Sequence, residues 1–79
     1  MIIRYNGKRM WRCWQSGKNE WTGVEPEYSV SRKEVVNRNK LVAKSKEELV
    51  DRIENICKFD ELVANGMDRM EAANVVMFG

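Results

Sequence analysis

Histidine is absent from this sequence. That removes the usual general base at neutral pH and the commonest metal ligand together. Cysteine is scarce: Cys13 and Cys57 stand far apart, form no CxxC pair and make no zinc or redox motif. No apolar run approaches the roughly 18 residues of a membrane span, and no basic-then-apolar leader opens the chain. The expectation is a cytoplasmic protein with two free thiols, a Cys13–Cys57 bridge being the less favoured reading. The GxSxG, P-loop and GxGxxG signatures are all missing. The carboxylate pairs Asp51/Glu54 and Glu47/Glu48 fall on the polar side of an amphipathic stretch, where solvation is their expected role. An enzyme is therefore not expected, and neither a cofactor nor a metal.

What is present suits one small folded domain spanning 1–79, with 43% hydrophobic and 33% charged residues. The charge is unevenly placed. Residues 1–46 carry eleven Lys/Arg against four Glu, a net +7, while 47–79 carry three against eight acidic residues, a net −5. A basic part can simply attract an acidic one within the fold, or it can present a basic face to something outside.

Two turns organise the first third. Asn6-Gly7, between IIRY and KRMWRCWQ, is a strong hairpin signal because both residues tolerate positive φ. Ser16-Gly17-Lys18-Asn19 leads into EWTGV. A two-residue loop at Asn6-Gly7 would pair Arg4 with Arg9 and Ile2 with Trp11; the second turn would pair Trp14 with Trp21 and Cys13 with Thr22. This register puts Met1, Ile3, Tyr5, Met10, Trp14 and Trp21 on a core face, with Lys8 and Arg12 among them. Ile2, Arg4, Arg9, Trp11, Cys13 and Val24 share the other face with Gln15, Glu20 and Thr22. Residues 24–44 read ambiguously. Ser31 and Glu34 fit a helix start, Val35-Val36 fits a strand, and LVAK (41–44) reads as a last strand.

The C-terminal part is plainer. Ser45 with Glu48 is a capping box, and Leu49, Val50, Ile53, Ile56 and Cys57 make an apolar stripe. Helix should run to about Ala64, with Lys58-Phe59-Asp60 a candidate break, and Asn65-Gly66 should stop it. Asp68 then caps a second helix whose expected buried stripe is Met67, Met70, Ala73 and Met77. The expected fold is α+β: a three- to four-stranded antiparallel meander over about 1–44, packed against helices at about 46–64 and 68–77.

ELVANGMDRMEAANVV (61–76) resembles the first two helices of a helix-turn-helix domain. With no base-reading helix after Phe78-Gly79, an αα-hairpin is the expected form. The basic strands around WRCWQSGKNEWTG, followed by the capped LVAKSKEELVDRI, are similar in outline to three-stranded DNA-reading domains of the integrase arm-binding type. That likeness is architectural and assigns no site residue.

The candidate contact residues are Arg4, Lys8, Arg9, Trp11 and Arg12, a cluster of Trp and Arg on a stiff hairpin, as interface hot spots favour. The leading expectation is a protein partner. A chain of this size and plainness fits an accessory protein of phage or mobile-element type that inhibits or redirects a host machine, as anti-CRISPR-type inhibitors do. Binding of nucleic acid by the same face is the alternative, and self-association through a sheet edge or the αα-hairpin is a third.

Overall fold

A computed structural model describes residues 1–7 and 9–78; Lys8, one of the candidate contact residues, lies outside the described residues. Strands β1 (Ile2–Tyr5), β2 (Arg9–Gly17), β3 (Glu20–Ser29) and β4 (Glu34–Ala43) form one antiparallel sheet in sequential order. Helices α1 (Lys46–Ala64) and α2 (Arg69–Phe78) follow, so the expected α+β meander with two C-terminal helices is the observed fold. The ambiguous segment is strand. β-Branched Val35 and Val36 sit in β4 opposite Tyr28 and Glu27. Ser31 starts no helix; it lies in the β3–β4 turn, where Ser29 Oγ accepts from the Arg32 N–H. Pro26 falls at a register break, a place where a missing ladder N–H is tolerated.

Helix α1 begins as its capping box requires, with Ser45 Oγ accepting from the Glu48 N–H at 3.2 Å. The Glu48 carboxylate reaches one residue further back than the motif predicts, to the Lys44 N–H. Arg52 bonds both Glu48 and the Val42 carbonyl, which ties the helix start to the end of β4. Leu49, Ile53 and Cys57 recur every four residues and are buried on the sheet. They sit close because residue 23 is glycine. A Cβ there would meet Leu49 Cδ1 at 3.3 Å and Cys13 Sγ at 3.4 Å. The helix runs unbroken through Lys58-Phe59-Asp60, and Gly66, at φ +99°, turns the chain back. Asp68 accepts from the Met70 N–H at the start of α2.

Three sequence expectations need correction. In the first hairpin Tyr5 pairs with Arg9 and Ile3 with Trp11, one residue later than a two-residue loop gives. In the second, an irregularity between Gln15 and Gly17 sets Trp14 opposite Thr22 and Cys13 opposite Gly23. Because strand side chains alternate, each one-residue slip exchanges the faces. Trp11 and Cys13 therefore turn inward beside Ile3, Tyr5 and Trp21, while Met10, Arg12 and Trp14 turn outward, and the expected Trp14–Trp21 pair does not form. The slip also separates Arg4 from Arg9, a like-charge pair that the shorter loop would have forced.

The third correction concerns α2. It rests on α1 rather than on the sheet, through Ala72, Val75 and Val76. Of the stripe expected to be buried, Met67 and Ala73 are half-buried, but Met70 and Met77 point away, 78% and 72% exposed.

Candidate functional site

The four described candidate residues, Arg4, Arg9, Trp11 and Arg12, do not share one surface. Trp11 is fully buried at the centre of the core, among Cys13, Ala43, Leu49, Ile53 and Cys57. Its indole N–H has no hydrogen-bond partner among the described residues. Arg9 also faces the helices. Its Nε and Nη2 donate to the two oxygens of Glu25, each at 2.7 Å, and Nη1 donates to Asp60 of α1 at 2.9 Å. Asn39 completes the group by donating to Glu25 at 2.9 Å. The Arg9 hydrogen bonds, helped by Asn39, hold the Glu25 carboxyl below its ordinary value although burial pushes the other way. Arg9 is thus a fastener between sheet and helix, the internal answer to the charge asymmetry. Tyr5 and Asn6 reinforce it by donating to Glu61.

A cleft of about 440 Å³ lies beside this fastener, between Tyr5, Arg38, Cys57 and Glu61. Most of its charged lining is already engaged within the chain. Burial raises the pKa of both Cys13 and Cys57 thiols, so neither is primed as a thiolate nucleophile. Among the described residues no three His, Cys, Asp or Glu side chains gather as metal ligands, and no helix is long and apolar enough to cross a membrane.

The remaining two candidates, Arg4 and Arg12, lie on the opposite face of the sheet, which the helices leave open. One cross-strand row there runs Ile2–Arg12–Val24–Lys40 over all four strands. Strands lie about 4.8 Å apart, so Arg12 and Lys40 are about 10 Å from each other across Val24. The row on one side is Trp14–Thr22–Val42; the row on the other begins with Arg4 and Met10. Thr22 and Val24 are buried between longer cross-strand neighbours, but Trp14 is 46% exposed, and Ile2, Met10, Val42, Tyr28 and Val35 are exposed as well. Among the described residues, Arg4, Arg12 and Lys40 make no ion pair. Glu20, a carboxylate at an outward position, sits at the far end of the face and accepts from Ser16 Oγ.

Sequence reasoning therefore found two residues of this face and missed Met10, Trp14, Tyr28, Lys40 and Val42. The signal that could have found Met10 and Trp14 was the Arg4–Arg9 clash; Tyr28, Lys40 and Val42 lie in the segment whose strands the sequence leaves ambiguous. Like charges set opposite each other argue against the register that produces them. Comparison of the chain with protein-family models, with curated proteins and with solved structures returns no match in any of the three.

Proposed function

We propose that this chain is a non-catalytic binding protein that docks the open face of its sheet on an acidic, partly apolar surface of another protein. The observation that carries the reading is a three-cation band, Arg4, Arg12 and Lys40, set among exposed Trp14, Met10 and Tyr28 with no carboxylate between them. Interface cores are enriched in Trp, Tyr, Met and Arg and depleted in Asp and Glu. A second copy of the chain suits this face poorly, because cations would meet cations. Nucleic acid would satisfy the charge, but Ile2, Val35 and Val42 offer little to a phosphate backbone, and the pI of 8.7 is below that of a dedicated nucleic-acid domain. Occupying a partner's surface is also how an accessory protein of phage type would inhibit or redirect a host machine.

The test uses the full chain and the triple variant R4E/R12E/K40E, whose circular dichroism should match wild type because all three side chains are exposed. A protein captured by wild type, identified, purified and titrated calorimetrically should lose at least about 100-fold in affinity for the variant. Fluorescence anisotropy with single-stranded and duplex DNA and RNA, at low and high salt, is the counter-assay. Micromolar, salt-steep binding lost in the variant would replace the protein reading with nucleic acid. A partner bound equally well by the variant would overturn the site.

A further inference from the structure

Helix α2 carries two apolar stripes and the chain covers only one. Ala72, Val75 and Val76 lie against α1. Met70 and Met77, seven residues apart, stand exposed on the outward side with Phe78, 81% exposed, beside them, and half-buried Ala73 lies between them at the edge of the α1 contact. Helical periodicity of this kind is the pattern of a helix that buries that face against something. Alongside the stripe runs an apolar groove of about 210 Å³ between the helices, bordered by Ile56, Phe59, Ala73, Val76 and Met77.

We infer that this face is closed by a second copy of the same chain, with the two α2 helices packed antiparallel about a two-fold axis. The helix is self-complementary about a point between Ala73 and Asn74. An axis there sets Met70 of each copy against Met77 of the other, in both directions, as an isologous contact requires. Ala73, the smallest residue of the stripe, then lies at the crossing beside Asn74, and a small side chain there lets the helix axes approach to about 8 Å. Met70 of the second copy comes to rest at the mouth of the groove that Met77 borders.

Charge supports this occupant as well. The sheet face has three cations without an ion pair among the described residues and repels itself, whereas α2 carries one cation, Arg69, and one carboxylate, Glu71, and does not. Two αα-hairpins joined in this way form a four-helix arrangement, a common way of burying a second apolar stripe. The open sheet faces are left pointing outward, so this inference stands whether or not the sheet-face reading does.

Sedimentation velocity on the full chain, over roughly 5 to 500 µM, reads the association. The expected result is a monomer–dimer equilibrium. Met70→Glu and Met77→Lys should each abolish the dimer while leaving circular dichroism and tryptophan fluorescence unchanged, because both side chains are exposed in the monomer and all three tryptophans lie on the sheet. The double variant M70E/M77K should restore it. In the antiparallel register the carboxylate introduced at position 70 of each copy faces the ammonium introduced at position 77 of the other, while a parallel register would set like charges together. A wild-type chain monomeric at every concentration overturns the inference. So does a dimer that ignores both single variants, and a double variant that stays monomeric overturns the register.

Discussion

The two faces of the sheet carry the same kinds of residue and treat them oppositely. The inner face has an arginine, Arg9, and two tryptophans, Trp11 and Trp21; the outer has two arginines, Arg4 and Arg12, and one tryptophan, Trp14. Inside, the guanidinium is clamped by two carboxylates and Trp11 is sealed from water. Outside, the guanidinium groups have no ion-pair partner among the described residues and the ring is half exposed. Composition alone therefore says little about a residue's task; the face it occupies decides whether it holds the fold together or waits for a partner. The largest test of this contrast is a matched pair of truncations. Trp11→Ala removes a fully buried side chain and should cost about 4 kcal/mol, a large part of a small domain's stability. Trp14→Ala should cost less than about 1 kcal/mol. Urea denaturation followed by circular dichroism measures both, and equal costs would erase the distinction between the faces.

The element plan was legible in the sequence because it rests on local chemistry. Asn6-Gly7 adopts positive φ at both positions, Ser45 caps α1, and Leu49, Ile53 and Cys57 bury together. Which strand face meets the helices was not legible, because it depends on a single residue of register at each hairpin, and one slip inverts a whole strand. Nor could α2 be oriented. It has apolar residues at both Ala72/Val75/Val76 and Met70/Ala73/Met77, and periodicity cannot tell which stripe α1 covers. Of the candidate site, the expected register sets Arg4 away from the core for a reason that is half wrong, since it groups Arg4 with Arg9 and Trp11, which turn inward; the same register puts Arg12 on the core face, and the structure turns it outward.

The arginines give the second test. Arg9→Met leaves Glu25, nearly buried, with Asn39 as its remaining side-chain donor, and should cost about 3 kcal/mol. Arg12→Met should stay within about 0.5 kcal/mol. Acid sharpens the comparison. Glu25 titrates lower in the fold than in the unfolded chain, so the folded state holds its proton less tightly. Its stabilising contribution is complete above the ordinary value of 4.5 and disappears as pH falls through the depressed one. Glu25→Gln should therefore flatten the loss of stability below about pH 4.5 relative to wild type, while Arg12→Met should leave that slope unchanged. Stability measured in urea at a series of acidic pH values separates the two, and a slope unchanged in Glu25→Gln would remove the fastener from the acid response.

Gly23 offers a smaller contrast confined to one residue pair along β3. Its missing side chain lets Leu49 and Cys13 close on the strand, so Gly23→Ala must push Leu49 by a few tenths of an ångström. The expected cost is about 1 kcal/mol, near the low end for an overpacked core. The neighbouring Val24 faces the open side, and Val24→Ala leaves no helix to rearrange. Melting curves should show Gly23→Ala altering the sheet–helix contact while the αα-hairpin keeps its helical signal.

The smallest effect bears most directly on why the outer face looks as it does. Arg12 and Lys40 flank Val24 about 10 Å apart, where two unit charges in water interact by about 0.4 kcal/mol before screening. Reversing one of them, Lys40→Glu, turns repulsion into attraction, so the free protein should become slightly more stable at low salt and lose that gain at high salt. A face shaped only for folding would carry such a mixed pair. Keeping two cations in one row, with Arg4 in the next, makes sense if the face is completed by carboxylates from outside. Lys40→Glu should then raise the urea midpoint a little in dilute buffer and weaken partner binding by several-fold at the same time. A variant more stable and equally able to bind would show that the cation band has no part in docking.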